Sequence, residues 1–323
     1  MGGHVIEGVA EGYPTIELAS PGGDLTISLV PDAALVGVSL RYRGHELLDR
    51  RRGLTAYAER GATMGIPLLY PWANRLAGWG YSAAGRQVQL SRDSRLLRGD
   101  GKGLPIHGVI PSALPFTVEE AGHQDGGVRL AARLAWERAE LLEVFPYPHH
   151  LSCRVRVTDR DATIATTVTP TGDVPTPVSF GYHPYLRLPD DERERCVISI
   201  PATTRLELDA HMIPTGESEA FDGSAIRLGD GSWDDGFADL RPPRRFVIAG
   251  PRRQIVAEFC QGYGYAQFYA PADQAFACPE PMTAPTNALL AGGPELIVAS
   301  PGESYRAAFR ISVEELLGDR AHN

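Results

Sequence analysis

The chain has 323 residues, of which 43% are hydrophobic and 22% charged, and its formal net charge is −9. This composition is ordinary for a globular protein with a large core, and the negative charge argues against a nucleic-acid surface, which needs clustered cations. Residues 1–20 lack a basic start followed by an apolar run, and no stretch approaches about 18 consecutive apolar residues, so we expect a cytoplasmic protein without a signal peptide or membrane contact.

Short runs with a period of two dominate the sequence in chain order. They lie near 15–20, 25–30, 86–91, 128–136, 151–157, 162–169, 196–208, 245–249, 254–260, 264–269, 295–299 and 304–313. Alternation of this kind is typical of half-buried antiparallel strands, whereas only ERAELLE (137–143) and VEELLG (313–318) resemble helices. No low-complexity linker divides the chain. We therefore predict one all-β domain over residues 1–323, built as a sandwich or barrel.

Longer stretches between the strands are predicted to be loops, at 64–85, 97–112, 271–294 and around 173–190. Loops on a rigid β scaffold often carry functional residues. Nucleotide-binding glycine motifs are absent, and none of the four cysteines forms a C-x-x-C pair, so neither a nucleotide cofactor nor a zinc ribbon is indicated. Cys153 and Cys260 lie in strand-like runs and are expected to be small buried residues.

Two residues beside prolines are candidates for acid–base chemistry. In GYHPYLRLP (181–189), Pro184 favours an extended conformation for His183, which would hold the imidazole in a defined direction. In ACPEPMTAPTNAL, Pro279 and Pro281 flank Glu280, exclude it from a helix interior and stiffen its backbone. A loop histidine and an exposed loop glutamate are the ordinary alternatives for each residue taken alone.

Three further segments carry polar groups that could bind a hydroxylated ligand. They contribute Asn74 and Arg75 from PWANR, His107 from LPIHGVIP, and Asp234 and Asp235 from GSWDDGFADL. Amide and guanidinium groups are donors for hydroxyl oxygens, and the nearby rings of Tyr70, Trp72 and Trp79 could cover the apolar face of a sugar. Simple turns would also explain His107–Gly108 and Asp235–Gly236.

Taken in order, six segments resemble the aldose 1-epimerase (galactose mutarotase) family over essentially the whole chain. They are PWANR (71–75), IHG (106–108), GYHPYLRLP (181–189), IPTGE (213–217), WDDGF (233–237) and EPMTAPTNAL (280–289). The GYHPY and EPMTAPTNAL segments are the most specific. The resemblance implies a large antiparallel β-sandwich, the mutarotase-like supersandwich, with few short helices.

The same resemblance implies roles for individual residues. Glu280 would be the general base and His183 the general acid. Arg75, Asn74, His107 and Tyr185 would bind the sugar, and Asp234 or Asp235 would hold its hydroxyls. We expect no cofactor and no metal, an aldose as the small-molecule partner, and a monomer or homodimer.

The chemistry of anomer exchange requires these residue types. One group must take the proton from the C1 hydroxyl while another protonates the ring oxygen, so that the ring opens and closes on its other face. A glutamate with a pKa of about 4.3 is ionised at neutral pH, whereas a histidine with a pKa of about 6.5 can be acid or base there. Glu280 and His183 suit the two tasks.

Three alternatives stay open. A hexose-6-phosphate 1-epimerase would need further cations, which LLDRRRG (47–53) and SRDSRLLRG (91–99) could supply. A non-catalytic sugar-binding protein of the same fold would not need both His183 and Glu280. A metal enzyme using His107, His183 and Glu280 would lack the usual ligand spacings.

Overall fold

A computed structural model of the chain describes residues 3–187, 193–229 and 231–316. The elements in chain order are β1 (His4–Ala10), β2 (Tyr13–Ala19), β3 (Leu25–Val30), β4 (Val36–Tyr42), β5 (His45–Glu46), α1 (Leu54–Arg60), β6 (Leu68–Leu69), β7 (Gly80–Ala83), β8 (Arg86–Gln89), β9 (Leu97–Gly99), β10 (Pro105–Val109), a 3₁₀ turn (Pro111–Ala113), β11 (Thr117–Gln124), β12 (Gly127–Trp136), α2 (Ala139–Val144), β13 (His149–Val157), β14 (Asp161–Pro170), β15 (Thr176–Val178), β16 (Gly181–Tyr182), a second 3₁₀ turn (Arg193–Arg195), β17 (Val197–Ser199), β18 (Ala202–Leu208), β19 (Pro214–Ala220), β20 (Ile226–Arg227), β21 (Trp233–Leu240), β22 (Arg245–Ala249), β23 (Arg253–Gln261), β24 (Tyr265–Ala270), β25 (Cys278–Met282), α3 (Ala288–Ala291), β26 (Ile297–Ala299) and β27 (Tyr305–Glu315). Strand accounts for 53% and helix for 7%, which confirms the predicted all-β class.

Antiparallel pairing organises these strands into three larger sheets. One has nine strands in the order β11-β12-β13-β14-β27-β23-β22-β17-β20, and another has seven in the order β19-β18-β21-β24-β25-β16-β6. Strands β1 to β5 form a five-stranded sheet in chain order. The seven-stranded sheet positions most of the candidate site, because β21, β24, β25 and β16 lie side by side within it.

Apolar side chains of the three sheets pack into a shared core. The ring of Tyr182 on β16 contacts that of Phe309 on β27, with centroids 4.9 Å apart, and so joins the seven-stranded sheet to the nine-stranded one. Leu25 and Ile27 on β3 belong to the same buried cluster. Packing of sheet faces against one another confirms the predicted β-sandwich.

The period of two explains which faces are buried. On β13, Leu151 and Cys153 are buried while Arg154 is exposed. The helix predicted at 137–143 corresponds to α2. The second predicted helix is wrong over 313–315, which continue β27, because Val313 pairs with Ile255 of β23 and tertiary pairing outweighs local propensity. Residues 317 and 318 of that prediction lie outside the described residues.

Several predicted loops contain short strands. Strands β6 and β7 lie within 64–85, β9 and β10 within 97–112, β15 and β16 within 173–190, and β25 within 271–294. Runs of two to five residues are too short to show a period, so only pairing with neighbours defines them. Residues 188 and 189, predicted as part of the GYHPYLRLP segment, lie outside the described residues.

Two further predictions are wrong. The Asp235–Gly236 step is not a turn but part of β21, where Asp235 pairs with Phe268 of β24. Cys260 is exposed rather than buried. Along β23 the buried Ile255, Ala257 and Phe259 share one face, so the period of two places Cys260 on the opposite face, with Glu258.

Candidate active site

Residues from distant parts of the chain surround a cleft of about 310 Å³. It is lined by Arg51, Thr63, Asn74, Arg75, Ile106, His107, His183, Tyr185, Asp234, Tyr269 and Glu280. Every site residue expected from the sequence is therefore present except Asp235. The volume lies at the lower end of the range of about 300–1,000 Å³ that is usual for small-molecule sites.

Glu280 occupies the middle of β25, although prolines precede and follow it. It pairs with Gln267 of β24. Successive N–H groups of a strand point to opposite neighbours, so Pro279 and Pro281 remove donors from only one side of β25. On its other edge the strand pairs with β16 through Met282 and Gly181. The prolines are thus compatible with a strand, which fixes the Glu280 backbone.

A direct contact joins the two candidate acid–base residues. Nε2 of His183 lies 3.1 Å from Oε1 of Glu280, and both side chains are almost fully buried. The second oxygen of Glu280, Oε2, is buried and has no hydrogen-bond partner among the described residues. An unpaired buried acceptor of this kind costs stability, and it is free to accept a proton or hydrogen bond from a ligand.

Burial controls the protonation of this pair. Loss of hydration raises the pKa of Glu280 well above its ordinary value; the nearby Asp234 carboxylate raises it further, and Arg75 opposes the change. Loss of hydration lowers the pKa of His183 to about 3, and the cations Arg98 and Arg51 add to this effect. The pair therefore shares one proton, and burial favours the neutral form with that proton on Glu280.

Tyr185 fixes the orientation of the His183 ring. The two rings are stacked, with centroids 4.4 Å apart and an interplanar angle of 6°. The Tyr185 hydroxyl is 2.7 Å from Oγ1 of Thr63 and 3.5 Å from Nε2 of His183. The imidazole is thus held between a tyrosine face and a carboxylate.

Arg75 is prepared for binding by two neighbours. Its Nε donates to Asp100 Oδ2 over 2.7 Å and its Nη1 donates to Asn74 Oδ1 over 2.9 Å. The Arg75 side chain is only 16% exposed. With these two groups engaged, Nη2 remains available to donate into the cleft.

Asn74 and His107 both have left-handed backbones, and a hydrogen bond between them joins the Asn74–Arg75 segment to His107. Asn74 has φ 55° and His107 has φ 62°, and the His107 amide donates to the Asn74 carbonyl over 2.9 Å. Backbone strain of this kind is concentrated at functional sites, where the surrounding structure enforces it. Gly108 follows with φ 69° and lies against the Tyr70 carbonyl.

We expect Gly108→Ala to destabilise the protein by more than about 3 kcal/mol. A Cβ at Gly108 would lie 2.0 Å from the Tyr70 carbonyl oxygen, whereas nothing lies within 4 Å of the corresponding position at Gly103, which also has positive φ. Gly103→Ala is therefore the matched control, carrying only the backbone cost of about 1–2 kcal/mol. Urea unfolding measures both, and equal losses would show that the close approach to Tyr70 is unimportant.

The two aspartates on β21 point to opposite sides. Asp234 lines the cleft and accepts from Gln267 Nε2 over 2.7 Å. Burial raises the pKa of Asp234. Asp235 instead accepts from Arg205 Nε over 2.9 Å, outside the cleft. The period of two along a strand places only Asp234 among the candidate binding residues.

The aromatic residues of the cleft differ from those predicted. Tyr70 and Trp72 are buried in the core, and Trp79 donates to the Gly103 carbonyl. The rings that line the cleft are Tyr185 and Tyr269. Because Tyr70 and Trp72 are buried in the core and do not line the cleft, neither ring is placed to cover the apolar face of a sugar there.

Four residues that line the cleft were not among the site residues predicted from the sequence: Arg51, Thr63, Ile106 and Tyr269. Tyr269 follows Tyr265 and Gln267 on one face of β24, and its pairing with Asp234 brings it to the site. Arg51 lies in the arginine-rich segment LLDRRRG, whose sequence does not distinguish it from its neighbours, and Thr63 comes from a segment without a recognisable motif. The only sequence signal for Tyr269 was its position in the strand-like run 264–269.

Within residues 3–187, 193–229 and 231–316, no group of three or more His, Cys, Asp or Glu side chains is arranged to hold a metal ion. In the same part of the chain, no helix combines the length and apolar character that a membrane crossing requires.

Together, the fold and the cleft define a class: a large antiparallel β-sandwich with a buried carboxylate–imidazole pair in a polar cleft. Residues 37–312 match the sequence model of the aldose 1-epimerase family. The chain belongs to the aldose 1-epimerase family.

Solved structures share the fold over nearly the whole chain. A galactose mutarotase-like protein from Clostridium acetobutylicum is 18% identical, with a TM-score of 0.85 and coverage of 98% of this chain and 99% of that one. The Slr1438 protein from Synechocystis sp. PCC 6803 is 23% identical, with a TM-score of 0.75 and coverage of 97% and 96%. Galactose 1-epimerase from Lactobacillus acidophilus NCFM is 13% identical, with a TM-score of 0.73 and coverage of 97% and 98%.

Proposed function

We propose that the protein is a cytoplasmic aldose 1-epimerase that interconverts the α and β anomers of a hexose. The observation that carries the proposal is the 3.1 Å contact between His183 Nε2 and Glu280 Oε1 within a cleft also lined by Arg75, His107 and Asp234. Anomer exchange removes one proton and adds another at two oxygens of the same sugar. A carboxylate and an imidazole that share one proton can perform both transfers.

In the proposed reaction, Glu280 takes the proton of the C1 hydroxyl and His183 protonates the ring oxygen. The bond between C1 and the ring oxygen breaks, which gives the open-chain aldehyde. Rotation about the C1–C2 bond presents the other face of the aldehyde. On closure the roles reverse: the ring hydroxyl returns its proton to His183 and Glu280 returns a proton to the C1 oxygen. The pair ends in its starting state.

This assignment requires the shared proton to lie on His183 when the sugar reacts. Burial favours the neutral pair, so other groups must stabilise the charged form. Arg75 does so because it lowers the pKa of Glu280. The C1 hydroxyl adds a hydrogen bond to the unpaired Oε2, since hydrogen bonding to the charged form of an acid stabilises that form.

The remaining polar groups would fix the sugar. Nη2 of Arg75 and the His107 ring supply donors, whereas the Asp234 carboxylate accepts from hydroxyls. Because Gln267 occupies one oxygen of Asp234, the other is available to the ligand. Orientation of this kind accounts for much of the rate enhancement in reactions within a bound substrate.

The test is polarimetry on a panel of freshly dissolved α-aldoses with the unmodified protein. We expect optical rotation to reach equilibrium faster than in the protein-free solution for at least one neutral hexose. If no aldose, phosphorylated or not, equilibrates faster while the protein binds one of them, the chain is a sugar-binding protein of the same fold.

A second candidate function, a hexose-6-phosphate 1-epimerase, is favoured by one observation. Of the cations in the two arginine-rich segments, Arg51 lines the cleft. Its guanidinium lies over the Phe276 ring at 4.8 Å and donates to Gln274 Oε1 over 2.7 Å. Arg50, by contrast, is paired with Glu11. Arg51 could therefore contact a phosphate at the end of a sugar opposite C1.

Arg51→Gln distinguishes the two candidates. For a neutral hexose, we expect no loss of kcat/KM, because Arg51 makes no charge-specific contact with such a sugar and its removal takes away one cause of the lowered pKa of His183. For a phosphorylated hexose used as the true substrate, loss of a charge-assisted hydrogen bond should raise KM by about tenfold or more. Arg50→Gln is the matched control. If Arg51→Gln, but not Arg50→Gln, lost activity on the 6-phosphate and kept it on the neutral hexose, the substrate would be the hexose 6-phosphate.

A further inference from the structure

A small second cavity adjoins the cleft. It has a volume of about 10 Å³, and Thr63, Ile106 and His107 line both the cavity and the cleft. Tyr57 of α1 and Arg98 of β9 also line the cavity. Side chains from α1 and β9 therefore meet His107 of β10 at this cavity.

Polar groups around this cavity lack partners. The Tyr57 hydroxyl and Nδ1 of His107 are buried and make no hydrogen bond within the described residues. Arg98 is half-buried, and no hydrogen bond or ion pair joins it to another residue of the described ranges. Burying polar groups without partners costs free energy, so these two orphaned atoms, beside the Arg98 guanidinium that lines the same cavity, indicate a ligand that satisfies them together.

We propose that this cavity is a binding site for a single water molecule that accepts hydrogen bonds from the Tyr57 hydroxyl and the Arg98 guanidinium and donates one to Nδ1 of His107. The cavity matches the volume of about 10–15 Å³ that one water requires, and the three groups meet the requirement for two to four polar partners. A water can donate and accept, whereas an anion could only accept.

The water has a consequence for His107. Burial lowers the pKa of His107 well below its ordinary value, and Arg98 lowers it further, so the ring is neutral and must adopt one tautomer. If Nδ1 accepts from the water, the ring proton lies on Nε2. His107 then offers a donor for a sugar oxygen in the cleft. Tyr57 and Arg98 act through the water as positioning residues.

The direct test is ¹⁵N NMR of the full-length protein labelled in histidine, with the His107 signals identified by their loss in His107→Gln. We expect the pattern of a neutral ring protonated at Nε2, unchanged between chloride and acetate buffers of equal ionic strength. A ring protonated at Nδ1, or a change of tautomer on adding halide, would overturn the proposal in favour of an anion site.

A variant pair tests the role of the Tyr57 hydroxyl. In Tyr57→Phe we expect the His107 signals to become a mixture of tautomers. The matched control is Tyr263→Phe, which removes another buried hydroxyl without a partner among the described residues, within the core. It should leave the His107 tautomer unchanged. An unchanged tautomer in both variants, or the same change in both, would contradict the proposal.

Kinetics add a second readout that rests on the proposed function. In Tyr57→Phe we expect KM to rise by about two- to tenfold, which corresponds to the net contribution of one hydrogen bond, with kcat nearly constant. Because the tautomer is measured without substrate, failure of the proposed activity would leave the water site testable, and failure of the water site would leave the activity unaffected.

Discussion

Glu280→Gln and His183→Asn should each lower kcat for anomer exchange by about 10²- to 10⁴-fold, the usual contribution of general acid–base catalysis. The glutamine would retain the shape of the original side chain but could not take the C1 proton. The asparagine would retain some hydrogen bonding but could not protonate the ring oxygen. The measurement is the decay of optical rotation of a fresh α-aldose, corrected for protein-free mutarotation.

The double variant should be little slower than the slower single variant. Both transfers serve the same ring-opening step, so losing either partner stalls it, and effects of residues that act as a unit are not additive. Asp235→Asn is the matched control: this carboxylate lies on β21 next to Asp234 but pairs with Arg205 outside the cleft. A folded Glu280→Gln protein within a few-fold of the parent would show that Glu280 is not the base.

The sequence predicts the strands well where they are long and half-buried. Strand β13 alternates over nine residues, and a period of two over such a length has no helical counterpart. Short strands could not be predicted in this way. Strand β6 has two residues and β25 has five, two of them prolines. Their identity depends on pairing with β16 and β24, which is information about the whole fold.

The candidate site likewise contains residues that the sequence identifies and residues that only the folded structure identifies. Residues in distinctive segments, such as His183 and Glu280, were anticipated through the family resemblance, and the structure brings them to one cleft. Arg51 and Arg98 lie in arginine-rich segments in which most cations look alike. Only tertiary packing distinguishes Arg51, at the cleft, from Arg50, which pairs with Glu11. Charge patterns alone carry no information about which cation faces a site.

Glu280→Gln should also change the pH dependence of folding stability. Burial raises the pKa of Glu280 above its ordinary value of 4.5. Folding therefore favours the protonated carboxyl, so the contribution of Glu280 ionisation to the stability of the parent is most favourable below pH 4.5. As the pH rises from there through the raised folded-state pKa, the parent loses stability by up to about 1.4 kcal/mol per pH unit for this group, and the loss is constant above that pKa.

Glutamine cannot ionise, so the variant avoids this loss. We expect the free energy of unfolding of Glu280→Gln, minus that of the parent, to increase from pH 4.5 towards neutral pH. Urea unfolding at several pH values measures it, with Glu207→Gln, an exposed glutamate, as the control that should give a flat difference. A flat difference for Glu280→Gln as well would mean that the carboxylate is already compensated in the folded protein. The expected combination, greater stability with lost activity, is the one that arises when a site retains a poorly solvated ionisable group for its chemistry.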